Sequence, residues 1–160
     1  MTWSRPLLVV AALILFGAVA FFWPNSVPKA RIGPDTTVDL VAGATLYAEN
    51  CAACHGANLE GQGDWRTPGP DGRLLAPPHD ETGHTWHHTD SLIFAYTKLG
   101  GKGALAEQGM DFNSGMPGFG DQLSDPEIWN IIEYIKAQWP ERERIIQAER
   151  TAVDQSSGDK

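Results

Sequence analysis

The sequence predicts an all-α domain of modest size set behind an apolar N-terminal segment, and three observations carry that reading. Ser124-Asp125-Pro126-Glu127 has the form of a capping box with a proline in the first turn. Behind it Ile128, Ile132, Ile135 and Trp139 fall on one helical stripe, widened by Ile131 and Tyr134. Val38, Val41, Leu46 and Tyr47 form a second helical run, and Leu92, Ile93, Tyr96 and Leu99 a third. A chain of 160 residues, 42% hydrophobic and 20% charged, suits one such domain plus an appended segment.

The appended segment comes first. Residues 6–28 contain no charge, and residues 7–23 are almost wholly apolar, with Arg5 before them and Lys29 and Arg31 after. A bilayer takes about 20 apolar residues to cross. Residues 6–23 are therefore expected to be a transmembrane anchor and 1–5 a cytoplasmic N-terminus, an orientation that the flanking charges leave open and that rests on the chemistry of Cys51, Cys54 and His55. A cleaved signal peptide is the rival, because Ala18-Val19-Ala20 offers small residues at a cleavage position. Phe21, Phe22 and Trp23 prolong the apolar character and favour retention, as an aromatic belongs at the interface. Residues 24–34, with three prolines and a glycine, read as an extended linker.

The domain is expected to span 35–140. Thr36 or Thr37 can cap its first helix, which runs toward Tyr47. A mid-helix glycine costs about 1 kcal/mol against alanine, so Gly43 implies a close crossing by another helix. That partner is the helix from 124 to about 139, which Pro140 ends or kinks. A shorter helix over 91–99, entered from Thr89 and Asp90, ends at Gly100-Gly101. After Pro140, residues 141–152 read as a charged surface helix and 154–160 as a disordered tail.

Cys51-Ala52-Ala53-Cys54-His55 holds the only cysteines of the chain. Two thiols three positions apart can each add to one haem vinyl group while the next residue places its imidazole under the iron. The pattern is the attachment sequence of one covalent haem c, with Cys51 and Cys54 as tethers and His55 as proximal ligand. A redox dithiol or half a zinc site also uses C-x-x-C, but neither accounts for the adjacent histidine, and there is no second C-x-x-C.

Gly43, Tyr47, the Cys51-x-x-Cys54-His55 motif, the later Met116-Pro117 and the terminal Ile131-Ile132-Glu133-Tyr134-Ile135-Lys136 together resemble class I cytochromes c over most of 35–140. The resemblance implies a small helical domain around one haem. It also implies that the first and last helices cross where Gly43 and Tyr47 meet Ile131 and Tyr134. A proline carbonyl at Pro77 or Pro78 is implied as acceptor for the second ring N–H of the proximal histidine, which fixes the ring and its basicity.

The sixth ligand separates a carrier from a haem that binds small molecules. Met116 is the expected one: Ser114, Gly115, Pro117, Gly118 and Phe119 around it make a loop able to present a thioether, and the family's methionine-proline ligand loop adds to that. Met110, six residues earlier, is the runner-up. His79, His84, His87 and His88 form a cluster that could hold a second metal or supply a bis-histidine haem, yet Pro77, Pro78 and Gly83 favour a polar loop with packing histidines. Trp65 and Trp86 could cover the haem edge or simply pack.

Setting aside Arg5, Lys29 and Arg31 leaves 9 basic against 20 acidic residues, a formal charge of −11 on residues 35–160. Nucleic acid is excluded as a partner by that sign. The expected function is outer-sphere electron transfer between a redox protein donor and acceptor at the membrane, with no substrate bond made or broken. A fixed subunit of an oxidoreductase complex, or a ligand-binding haem protein, are the other classes the sequence allows.

Overall fold

The first helix starts later than expected because a third cap-competent residue outcompetes the two threonines. Asp39 caps α1 (Leu40–Asn50), its carboxylate accepting the Val41 and Ala42 N–H groups at 2.9 and 3.0 Å. Val38 consequently lies outside the helix. The structure, a computed structural model, describes residues 37–158. The expected cytoplasmic N-terminus, anchor and linker at 1–34 lie outside the described residues. Among those described, every regular element is helical, and no helix is long and apolar enough to cross a membrane.

The core forms where α1 meets α4 (Asp125–Ala137). Gly43 is the reason they can meet: a Cβ there would collide with the backbone carbonyl of Asn130 and lie 3.0 Å from the Tyr134 Cβ. Asn130 fixes the crossing a second time, its side-chain oxygen accepting the Asp39 N–H at 3.0 Å. Tyr47 is buried against Tyr134, ring centroids 5.6 Å apart, and Ile128, Ile131, Ile132 and Ile135 are buried with it. The apolar stripe read from the sequence is thus the core stripe. Helix α4 ends at Ala137, so Trp139 packs into the core from just beyond it. The capping box is present, with the Glu127 carboxylate accepting the Ser124 N–H at 2.8 Å and its hydroxyl at 2.7 Å.

Two short turns, one at Ala52–His55 and a 3-10 turn at Thr85–His87, and two longer helices complete the described residues. Helix α2 (Ala52–His55) follows α1 directly, and Gly56 at φ +83 ends it. Helix α3 (Asp90–Ala106) is capped by Thr89, whose hydroxyl accepts the Leu92 N–H at 3.3 Å. It does not stop at Gly100-Gly101 as expected. Gly100, at φ +76 and ψ 162, breaks the helix, and the chain then resumes helical geometry to Ala106. Glycine permits the break without strain, which is why it read as a terminus.

Helix α5 (Glu141–Gly158) is longer and better anchored than the expected surface helix with a disordered tail. Glu143, Gln147 and Thr151 are buried at four-residue spacing, so one face packs inward although it is polar. The Gln147 amide donates to Asp90 at 2.7 Å and to Thr151 at 3.0 Å, and the Thr151 hydroxyl accepts the Asp90 N–H at 3.0 Å. Lys136 joins from α4, reaching Asp90 at 3.0 Å and Glu133 at 2.7 Å. Burial alone would lower the Lys136 pKa, but the two carboxylates outweigh it and raise it. Ser91 holds Asp154 at 2.6 Å, which keeps the helix ordered past the point where composition suggested disorder.

Candidate functional site

The helical turn of α2 puts the motif on one face. The His55 N–H bonds to the Cys51 carbonyl at 2.9 Å and the Cys54 N–H to the same carbonyl at 3.1 Å. Residues 51, 54 and 55 therefore project together, as positions i, i+3 and i+4 of a helix do. Both cysteines are free, Cys51 half-buried and Cys54 exposed. Burial first, then the neighbouring Cys54 thiol, pushes the Cys51 thiol up to about 11. A redox dithiol needs a shift the other way, so this environment does not suit one.

His55 is buried and its ring orientation is determined. Its Nδ1 lies 2.9 Å from the Pro77 carbonyl, and since a carbonyl only accepts, Nδ1 carries the hydrogen. Burial lowers the ring's pKa, partly opposed by that bond, so the ring is neutral with its Nε2 lone pair available. Gly61 makes the approach feasible: its φ is +67, its N–H bonds the His55 carbonyl at 2.8 Å, and a Cβ there would collide with Pro78 nitrogen. Of the two prolines left open by the sequence, Pro77 is the acceptor.

Met116 reaches the same cavity from a loop 61 residues further along the chain than His55. A crevice of about 460 Å³ is lined by Cys51, Cys54, His55 and Met116 together with apolar Ile93, Phe119, Ile131 and Ile135. The Met116 N–H bonds the Ser114 hydroxyl at 3.2 Å, and its carbonyl accepts the Gly101 N–H at 3.2 Å. Phe119 and Gly120 donate to the carbonyls of Thr97 and Lys98, each at 2.9 Å. The loop is thus zipped onto α3 at its break. Met110 does not line the crevice and is 47% exposed, so of the two candidate methionines only Met116 lines it.

Of the four clustered histidines, His79, His84 and His88 line the crevice and His87 does not. His87 is exposed beside Trp86, whose indole donates to the Glu81 carbonyl at 3.3 Å. His84 and His88 share no helix; they form an aromatic wall of the crevice with Trp65 and Tyr96. His84 stacks on Trp65 at 5.1 Å between centroids and meets His88 edge-on at 5.1 Å. Among the described residues no group of three or more histidine, cysteine or acidic side chains is placed to hold a metal ion. His79 was expected to be one more packing histidine in a polar loop, but it lies buried with its ring stacked on His55, centroids 3.9 Å apart.

The residues present fit a haem. Two thiols, an imidazole with its second nitrogen committed, and a thioether line one largely apolar crevice, a donor set able to hold a covalent haem. Comparison with known proteins agrees. The cytochrome c family pattern matches residues 40–139. A cytochrome c6 from Picosynechococcus sp. is 30% identical over 134 residues, covering 82% of this chain and 88% of that protein. No solved structure matches the chain. The chain belongs to the cytochrome c family: it is a c-type cytochrome, a protein that transfers electrons.

Proposed function

We propose that the protein is a mono-haem electron carrier with histidine and methionine axial ligation, working between redox proteins at the outer face of the cytoplasmic membrane. The observation that carries this reading is the His55 ring, fixed by its 2.9 Å bond to Pro77 in a crevice that Met116 also lines. When bound, the haem supplies a reversible one-electron ferric and ferrous couple. Cys51 and Cys54 thiols tether it at the vinyl groups. His55 offers Nε2 to the iron, and the Pro77 carbonyl holds the ring and raises its basicity as a ligand. Met116 offers its sulfur from a loop tied to α3, while Ile93, Phe119, Ile131 and Ile135 exclude water.

Residues 6–23 serve as a single membrane anchor, with residues 1–5 cytoplasmic and 24–34 as the tether. The formal charge of −11 from residue 35 onward favours a donor or acceptor whose docking face is basic, because long-range attraction raises the encounter rate. The test is absorption spectroscopy of the full chain. Wild type is expected to be low-spin and to show the weak far-red ferric band of methionine-to-iron ligation. Met116→Ala is expected to lose the band and Met110→Ala to keep it. A high-spin wild type without the band sinks the carrier reading in favour of a ligand-binding haem.

A further inference from the structure

The most unusual feature of the crevice is the pair of imidazoles behind the motif. His79 covers one face of His55 with ring centroids 3.9 Å apart and planes 17° from parallel. Its surroundings leave it little freedom. The His79 N–H donates to the Leu59 carbonyl at 2.8 Å, and its own carbonyl accepts the Trp139 indole N–H at 2.6 Å. Tyr47 stands edge-on to the ring at 6.0 Å and 64°. Tyr47 and Trp139 are both buried in the core where α1 and α4 meet.

We propose that His79 is a positioning residue that fixes the plane of the His55 imidazole and through it sets the electronic character of the haem iron. The proposal rests on reading His55 as the iron ligand. The bond from Nδ1 to Pro77 constrains one edge of the His55 ring, but one contact at an edge leaves rocking about that contact open. A flat neighbour pressed on the ring face closes that motion. Two residues of one short stretch, Pro77 and His79, thus define the ring by an edge and a face.

Plain space-filling does not account for the choice of side chain. The Nδ1 of His79 is buried with no hydrogen-bond partner, and an unpaired buried polar atom costs stability. A leucine would fill comparable space among Tyr47 and Leu59 without that cost. What leucine lacks is a planar, polarisable face matched to the ring it covers. The orientation of an axial imidazole determines how its orbitals meet those of the iron, so the plane of His55 is a property with a direct spectroscopic and electrochemical readout.

The test uses the haem-loaded full chain with His79→Leu and His79→Phe. The readouts are the ferric electron paramagnetic resonance g values, the haem-methyl proton shifts and the reduction potential. His79→Leu is expected to change the g values, alter the order or spread of the methyl shifts and move the potential, with the low-spin spectrum retained. His79→Phe keeps a planar ring and is expected to return the methyl pattern toward wild type. Unchanged g values, shifts and potential in His79→Leu overturn the proposal. Should either variant fail to mature, Trp139→Phe removes the indole that holds the His79 carbonyl and is expected to give a smaller change of the same kind, an unaltered pattern again counting against the idea. A wild type without an imidazole-ligated low-spin signature defeats the ligand reading and the proposal together, whereas a normal wild type with an indifferent His79→Leu defeats the proposal alone.

Discussion

Gly100 and Gly118 lie against each other so closely that neither has room for a side chain. A Cβ on Gly100 would sit 2.7 Å from the Gly118 nitrogen and 2.8 Å from the Met116 carbonyl oxygen. One on Gly118 would sit 2.8 Å from the Lys98 carbonyl and 3.0 Å from the Gly100 nitrogen. All four atoms are backbone, so no rotamer change relieves the contact. The break in α3 and the loop carrying Met116 are therefore one feature: the helix opens where the loop must dock.

Gly118→Ala is expected to displace the Met116 loop while leaving α1 and α4 packed. Overpacking of this kind costs about 1–3 kcal/mol. The expected outcome is a weakened or lost far-red ferric band with near-native helical circular dichroism. A variant with the band at wild-type strength shows that the loop has slack the contacts do not suggest.

At the helix crossing the same argument predicts a larger, global effect. Gly43→Val would drive its Cβ into the Asn130 carbonyl, and its branches toward Tyr134. Separation of α1 from α4 would open the core around Tyr47 and Ile131, so destabilisation of at least about 3 kcal/mol is expected. Chemical denaturation with tryptophan fluorescence measures it. A midpoint within error of wild type would mean that the helices cross elsewhere.

How much of this was legible depends on whether the determining contact is apolar and periodic. The stripe of α4, its capping box and the role of Gly43 follow from helical spacing, and the structure places them as expected. The Cys51, Cys54 and His55 constellation is legible because one helical turn brings it together. The N-cap was misread because Thr36, Thr37 and Asp39 are all competent, and only the tertiary bond from Asp39 to Asn130 selects among them. Helix α5 was underestimated because its buried face is Glu143, Gln147 and Thr151, residues whose hydropathy points outward. His79 was invisible as a neighbour of His55, since a ring stack between residues 24 apart leaves no local signature.

The polar seam under α5 predicts stability changes separate from the crevice. Gln147 is 1% exposed and serves both Asp90 and Thr151. Gln147→Leu leaves the buried Asp90 carboxylate short of a donor, at a cost of about 1–3 kcal/mol. The expected result is a melting temperature lower by several degrees with an unchanged visible spectrum. A shifted spectrum would instead tie α5 to the iron environment.

Stability should also respond to mild acid through His88. Burial, with smaller contributions from His84, His87 and Arg150, lowers the folded pKa of His88 from 6.5 to about 4. Between those values the unfolded chain binds a proton that the folded chain refuses. Stability from this group therefore rises with pH from about 4 to 6.5 and is level above that window. His79 and His84 are lowered by burial as well and add slope of the same sign, whereas His55, read as the iron ligand, does not titrate here. Urea midpoints measured across the window in wild type and His88→Gln isolate the His88 share: the variant is expected to show a shallower rise. Parallel curves would mean that His88 takes up its proton in the folded protein as readily as in the unfolded chain.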